Sequence, residues 1–331
     1  MKKVLLIYFL VFTCCAAFAQ YIPGNGQAFQ FASITNPAFS GVENFGDLKM
    51  SYRYQWGGFG DYSPTYVNLS YNTRLKHPLD LKYNTMRMSN PAIVAPENLP
   101  RRKRIIHGLG MNVFHSRVGV INTMGGALGY AFNYPVSKTF RFSMGVASFI
   151  ENRTIRLSDI TFNEPDPFYN HLLTGATSQV DLSLRGGVLL YSKGFYLGVS
   201  YLSIMNKPIQ ASELALEEPF YRASLQTGFA FRTTPAVAFR PSILAYLLMD
   251  DSYIIDYNMK VYLQDKGWMG LTYRDSGTGI VMLGLNVSAA VSAAYSYEVG
   301  FGGFQPFGGS SHELVVGFRI NNLKKEGRWV W

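Results

Sequence analysis

The amino-acid sequence predicts an all-β protein: a transmembrane antiparallel up-and-down β-barrel of about fourteen strands behind a cleaved signal peptide. Three observations predict it. An export signal opens the chain, period-two alternation recurs to its end, and no later apolar run is long enough for a membrane helix.

Lys2 and Lys3 form a charged n-region, residues 4–12 an apolar h-region, and Ala17-Phe18-Ala19 a small-x-small cleavage site. Cleavage after Ala19 leaves Gln20 as the mature N-terminus and makes residues 1–19 the signal peptide. Both cysteines, Cys14 and Cys15, leave with it, and Phe12-Thr13-Cys14 lacks the small residues of a lipid-attachment signal. A mature chain without cysteine has no disulfide, thiolate metal site or cysteine nucleophile.

The alternation is clearest over residues 122–149. Met124, Leu128, Tyr130, Phe132 and Tyr134 share one face, and Thr123, Gly125, Ala127, Gly129, Ala131 and Asn133 the other. After Pro135-Val136-Ser137-Lys138 the rhythm resumes: Phe140, Phe142, Met144 and Val146 oppose Thr139, Arg141, Ser143, Gly145 and Ala147. Successive side chains leave opposite faces of a pleat, so this is a hairpin. The inner face of a soluble sandwich rarely carries Arg, Asn and a row of Gly. Large residues outside and small or polar ones inside fit a sheet between lipid and a wet lumen.

Composition agrees. Aromatic residues make up 15% and charged residues 15%, against roughly 25% charged in ordinary soluble domains. Mean hydropathy is only +0.03, because the apolar content is dispersed by alternation. Such a chain satisfies its backbone in a bilayer only as a closed barrel, which implies an outer membrane. The formal charge of +9 falls to +7 without Lys2 and Lys3. Its arginines are scattered singly apart from Arg101-Arg102-Lys103-Arg104, and an exported barrel has little access to nucleic acid, so no nucleic-acid partner is expected.

Alternating spans fall at 47–55, 64–74, 105–114, 122–134, 139–151, 178–191 and 194–203. The second half adds 220–233, 237–248, 252–264, 267–274, 278–287, 291–300 and 311–320. Turn chemistry separates them at Ser192-Lys193-Gly194, Asp265-Lys266-Gly267 and Asp275-Ser276-Gly277. With a periplasmic N-terminus, the long connections 152–177, 204–219 and 301–310 fall outside the cell and the short turns face the periplasm. The expected organisation is a periplasmic segment at 20–46, a barrel at 47–320 and a tail at 321–331. The basic stretch 75–104 breaks the loop pattern: it reads either as a partner-binding insertion on the periplasmic side or as the sign of one early strand more or fewer than counted.

Most catalytic signatures are absent. There is no phosphate-binding GxxxxGK[ST] and no HExxH, and the five histidines show no ligand spacing, so neither cofactor nor metal is expected. Ser311, His312 and Glu313 cannot converge as a triad, because strand neighbours point to opposite faces. The acidic stretch Asn163-Glu164-Pro165-Asp166 offers only two carboxylates, a weak calcium site that reads as solvated loop. Asn68-Leu69-Ser70, Asn152-Arg153-Thr154 and Asn286-Val287-Ser288 fit the glycosylation pattern by chance. Arg53, Arg141, Arg222 and Arg232 are candidate lumen residues that could pair with Asp256 or Glu313.

Six landmarks remain, in a fixed order. Asn36-Pro37-Ala38-Phe39-Ser40-Gly41 resembles an NPAYAG element. Arg53, Gln55, Trp56 and Gly57, with Pro64 and Thr65, resemble R-x-QW-x-G…P-T. Gly108-Leu109-Gly110 with Arg117-Val118-Gly119, then Phe195-Tyr196-Leu197-Gly198-Val199-Ser200, follow. Trp268 to Arg274, and Ser311-His312-Glu313-Leu314, complete the series. The chain resembles the PorP/SprF family of outer-membrane proteins of the type IX secretion system in Bacteroidetes, over essentially its whole mature length. The resemblance implies a non-enzymatic outer-membrane barrel that assists secretion and anchors a cargo with a C-terminal sorting domain, such as a large adhesin, in some members for gliding motility. It also implies other type IX secretion or periplasmic components as partners, alongside membrane lipid. The motif residues Asn36, Pro37, Arg53, Gln55, Trp56, Gly57, Pro64, Thr65, Gly119, Trp268, Arg274, His312 and Glu313 are either structural or partner-binding. The alternative is a porin-like or hydrophobic-solute channel; a lipid hydrolase lacks a converging nucleophile and base.

Overall fold

The computed structural model describes residues 26–75, 105–156, 178–210, 221–234, 236–263, 266–301 and 308–321. All but Leu75 of the stretch 75–104, the acidic stretch 163–166, residues 1–19 and most of the tail lie outside them. Among the described residues no helix is long and apolar enough to cross a membrane.

Fifteen strands form one antiparallel sheet. They are β1 (Gly46–Tyr54), β2 (Thr65–Leu75), β3 (Ile106–Val118), β4 (Ile121–Pro135), β5 (Arg141–Ile155), β6 (Ser178–Tyr191) and β7 (Phe195–Gln210). There follow β8 (Tyr221–Phe229), β9 (Phe231–Thr234), β10 (Val237–Leu248), β11 (Tyr253–Leu263), β12 (Gly267–Arg274), β13 (Thr278–Asn286), β14 (Val291–Gly300) and β15 (Ser311–Ile320). β15 pairs with β1 from Gly46–Ile320 to Tyr54–His312, and β10 pairs with β11, so the sheet closes. β8 and β9 are two halves of one stave, because both pair with β10. The ladder lapses opposite Pro241, which has no N–H to donate. The result is a closed barrel of 14 staves, as the alternation predicts.

The strand bounds shift outward at three places. β3 runs to Val118, β5 to Ile155 and β7 to Gln210, so part of each loop expected at 152–177 and 204–219 is strand. Paired backbone persists there because the neighbouring stave is long enough to continue the ladder, which hydropathy alone does not encode.

The outer face is apolar on every stave: Met124 (63% exposed) and Leu128 on β4, Met144 and Val146 on β5, Leu283 on β13 and Leu314 on β15. The inner face is mixed rather than uniformly polar. β13 to β15 turn Ile280, Met282, Ala294 and Val315 inward, and they are buried. β10 also alternates weakly, because Tyr246 and Leu248 face inward and pack with Ile254.

What these inward apolar residues touch is the N-terminal segment. Residues 26–45, expected to stand in the periplasm, lie inside the barrel instead. The segment enters as 3-10 turns at Ala28–Phe31 and Pro37–Phe39 with one helical turn at Ala32–Thr35 between them. Phe31 packs on Trp268, Ile280 and Met282. Ala38, Phe39 and Val42 pack on Leu189, Tyr191 and Tyr196. Burial of these side chains drives the segment inward, since it has no partner strand of its own.

Candidate functional site: the plugged lumen and its outer corner

The plug is held mainly through its backbone. Ser200 Oγ donates to Thr35 O (2.8 Å), Ser143 Oγ to Ala38 O (2.7 Å) and Asn133 Nδ2 to Ser40 O (3.3 Å). Arg74 reaches Gly41 O and Val42 O, and Lys49 Nζ donates to Gln30 O. Irregular backbone away from water needs such partners for its carbonyls. Donors from β1, β2, β4, β5 and β7 supply them.

Asn36 and Pro37 sit at the tightest point. Asn36 is fully buried; its Oδ1 accepts from Ala38 N (3.0 Å) and caps the turn, while Nδ2 donates to Val188 O and Val199 O. Two wall glycines make room, for a Cβ on Gly187 or Gly198 would fall on the Asn36 amide. Likewise a Cβ on Gly145 would strike Pro37 and Ala38 backbone, and one on Gly108 the Ser40 carbonyl. Gly145, from the small-residue row seen in the sequence, and Gly108, Gly187 and Gly198 on neighbouring strands therefore form the seat of the plug.

On the opposite wall the plug meets charge and aromatic rings. Arg53 Nη2 lies 2.9 Å from Glu298 and Nη1 3.8 Å from Glu313, all three being buried. Glu313 Oε2 also accepts from the Gln27 N–H at 3.0 Å. The Lys260 ammonium sits 3.0 Å from the centroid of Phe29 and 4.7 Å from that of Trp268, and Phe29 meets Trp268 edge-on. Arg274 forms a bidentate pair with Asp256 at 2.6 and 2.9 Å.

A third group makes a corner on the rim that carries the long loops. Gln55 N donates to Pro64 O (2.8 Å), Trp56 N to Ser311 Oγ (3.2 Å) and Gly57 N to Ser310 O (2.9 Å). Trp56 O accepts from Ser63 Oγ (2.8 Å), and Trp56 itself is left-handed, with φ of 52°. A bulky residue is rarely found there, at a cost of about 1–3 kcal/mol. The surrounding hydrogen bonds hold it in place. Thr65 opens β2 and pairs with Tyr54 and Arg117.

The predicted site residues thus divide among several places. Arg53 and Glu313 meet, as the pairing of lumen arginines anticipates, but Asp256 goes to Arg274. Arg222 pairs with Asp251 at the rim rather than in the lumen, and Arg232 is exposed. His312 points to the outer face, its Nδ1 2.6 Å from the Tyr295 hydroxyl, while Glu313 points inward, so the two never converge. Gly119 (φ of 57°) closes the β3–β4 turn alone. Among the described residues no group of three potential metal ligands gathers. Sequence reasoning placed Ser200 only at the end of a landmark and missed Lys49, Lys260, Ser143 and Asn133 as plug contacts. Their only signal was a polar residue on an inward-facing strand position.

Fold and lumen together define an outer-membrane β-barrel closed by its own N-terminal segment. Residues 17–318 match the type IX secretion system membrane protein family PorP/SprF, and the chain belongs to that family. No curated protein matches it. Among solved structures it is similar to the Pseudomonas putida toluene transporter TodX, at 11% identity over 91% of this chain and 95% of that one, with a TM-score of 0.47. It is also similar to the Acinetobacter baumannii outer membrane protein Omp33, at 10% identity over 85% of this chain and 100% of that one, with a TM-score of 0.46. It is an outer-membrane component of type IX secretion.

Proposed function

We propose that this barrel is a non-enzymatic anchor: its external loops grip the C-terminal sorting domain of a secreted cargo, such as a large adhesin, and fix it to the outer membrane. The observation that carries this reading is the plug. A lumen occupied by residues 26–45, stitched to five strands, leaves the rims as the surfaces for partners. The Trp56 corner supports it too, since strained backbone over-determined by its surroundings clusters at functional positions. The candidate external surfaces are the connections 152–177, 204–219 and 301–310, and the stretch 75–104 is the candidate surface for periplasmic components of the secretion system. Export uses residues 1–19 as a cleaved signal.

Pull-down from detergent-solubilised outer membrane, with mass spectrometry of co-purifying proteins, tests the reading. A large secreted protein with a sorting domain is expected. If deletion of the gene leaves such a cargo fully attached to the surface, the reading fails.

One observation favours a second reading, a solute channel. A small cavity runs beside the plug between Phe29, Ala32 and Phe39 on one side and Gln226, Leu244 and Asp256 on the other. Planar-bilayer recording of the purified protein separates the two: the anchor is electrically quiet, whereas a channel shows a large steady conductance.

A further inference from the structure

The fully exposed charges of the described residues sort by sign to opposite ends of the barrel. Asp61, Asp250, Asp251 and Asp275 stand on the long-loop rim, after β1, β10 and β12. Lys138, Lys193, Arg232 and Lys266 stand toward the short-turn rim: Lys138, Lys193 and Lys266 at the β4–β5, β6–β7 and β11–β12 turns, and Arg232 within the short strand β9. Half-buried Arg141 and Arg319 add to the same end. The described carboxylates near that end are Glu43, half-buried, and Asp47, buried in an ion pair with Lys49 at 2.7 Å. Asp265, next to Lys266 in sequence, lies outside the described residues.

We propose that the short-turn rim is a collar for anionic glycerophospholipid headgroups of the periplasmic leaflet. Its cations interleave with the lipid-facing surface. Lys138 lies between exposed Val136 and Phe140, Arg232 follows exposed Phe231, and Lys266 lies by exposed Leu263 and Leu285. Lys193 precedes Gly194, whose carbonyl accepts from Ala230 between exposed Phe229 and Phe231. A long cationic side chain at the edge of an apolar belt runs its methylenes along the hydrocarbon and its charge to the phosphate level.

Spacing separates a lipid from a protein partner. The four cations stand on four successive connections: Lys138 and Lys266 are each about two staves, roughly 10 Å at a strand separation of about 4.8 Å, from the next cation, while Lys193 and Arg232 are closer, across the seam where Gly194 meets Ala230. They follow the circumference from β4 to β12 instead of gathering into one patch. Separate cations around an apolar wall suit individual headgroups in an annulus. A folded acidic protein would meet few of them at once. Phosphatidylglycerol and the phosphates of lipopolysaccharide share the anionic chemistry. The short-turn end faces the periplasm in barrels of this kind, and that selects the glycerophospholipid.

The test is native mass spectrometry of the full-length barrel, released from nanodiscs of equal phosphatidylglycerol and phosphatidylethanolamine. Each Lys or Arg near an anionic surface contributes about fivefold, so retained lipid is expected to be enriched in phosphatidylglycerol by about fivefold or more. The K138Q/K193Q/R232Q/K266Q variant is expected to abolish the enrichment, and D61N/D250N/D251N/D275N on the other rim to keep it. Single substitutions at the four cations, each lowering the ratio partway, keep the test decisive if the quadruple variant misfolds. Equal retention of the two lipids by the wild type would overturn the proposal, as would undiminished enrichment in the four singles. So would preferential retention of lipopolysaccharide in a three-way competition. None of these outcomes bears on cargo anchoring, which uses the opposite rim.

Discussion

The two walls of the lumen hold the same plug by different physics. The wall from β3 to β7 offers glycines: plug backbone lies directly on wall backbone at Gly108 and Gly145, and the Asn36 amide side chain lies on Gly187 and Gly198. The wall from β11 round to β1 offers long side chains: Lys260, Trp268, Glu313, Arg53 and Lys49 reach across to Gln27, Phe29, Gln30 and Phe31. The first wall is a steric key that tolerates no added atom. The second is a set of electrostatic and aromatic contacts whose flexible members can adjust. Position along the plug is thus set by the glycine wall, and the far wall secures what has already been placed.

Breaking the charged wall at its centre should have the largest effect. Arg53→Ala leaves Glu298 and Glu313 buried without their cation, and stranding buried charge costs about 3–5 kcal/mol. Loss of the heat-resistant electrophoretic form at a lower temperature measures it. The glycine wall comes next. Gly145→Ala places a methyl against Pro37 and Ala38 backbone, and overpacking of this kind costs about 1–3 kcal/mol. The decisive readout is the plug: channel activity should appear in planar bilayers, with Gly126→Ala silent because its methyl meets only Asn112 O at 3.5 Å. If Gly145→Ala were equally silent, the steric key would be wrong.

Asn36→Ala removes a turn cap and two bonds to strand carbonyls, for a loss of about 1–3 kcal/mol. Faster hydrogen exchange at Ala38 than at Phe31 would place the loss at the glycine wall. Lys260→Met should be milder, about 0.5–2 kcal/mol, because Met keeps the packing on Phe29 and Trp268 while the cation–π attraction is lost. The same exchange experiment should then show faster exchange around Phe29 while Ala38 stays protected.

The rim gives the smallest effect and serves as a reference away from either wall. Bonds from Ser252 to the Asp250 carboxylate hold its pKa below the ordinary carboxylate range. A depressed folded pKa contributes stability that is full above the unfolded value and is lost as pH falls through the folded one. Acidification below the usual carboxylate range should loosen the Asp250–Ser252 turn, read as faster amide exchange at Ser252, with the plug unchanged.

Most of the barrel was legible in the sequence. Residues 122–149 alternate so cleanly that strand, turn and outer face could be read from them, and the last four spans match the observed strands to within one residue. Alternation survives because lipid demands an apolar residue at every second position. The Asn36-Pro37 landmark and the inward glycines were both visible, but nothing joined them. The plug has no period of its own, and a glycine row records only that something comes close. Arg53 and Glu313 are likewise distant in the chain and meet only because β15 closes onto β1. Trp56 carried no local sign of its left-handed backbone, which is imposed by bonds from Ser63 and to Ser311.

The sequence by itself determined the class of protein, the number of staves, the membrane face and the family, since each is written in a local period or an ordered motif. Only the tertiary structure decided that the lumen is occupied, which wall grips the plug sterically and which by charge, and which carboxylate answers which arginine. Those depend on closure of the sheet, which brings residues from opposite ends of the chain within bonding distance around a segment that no strand pairs with.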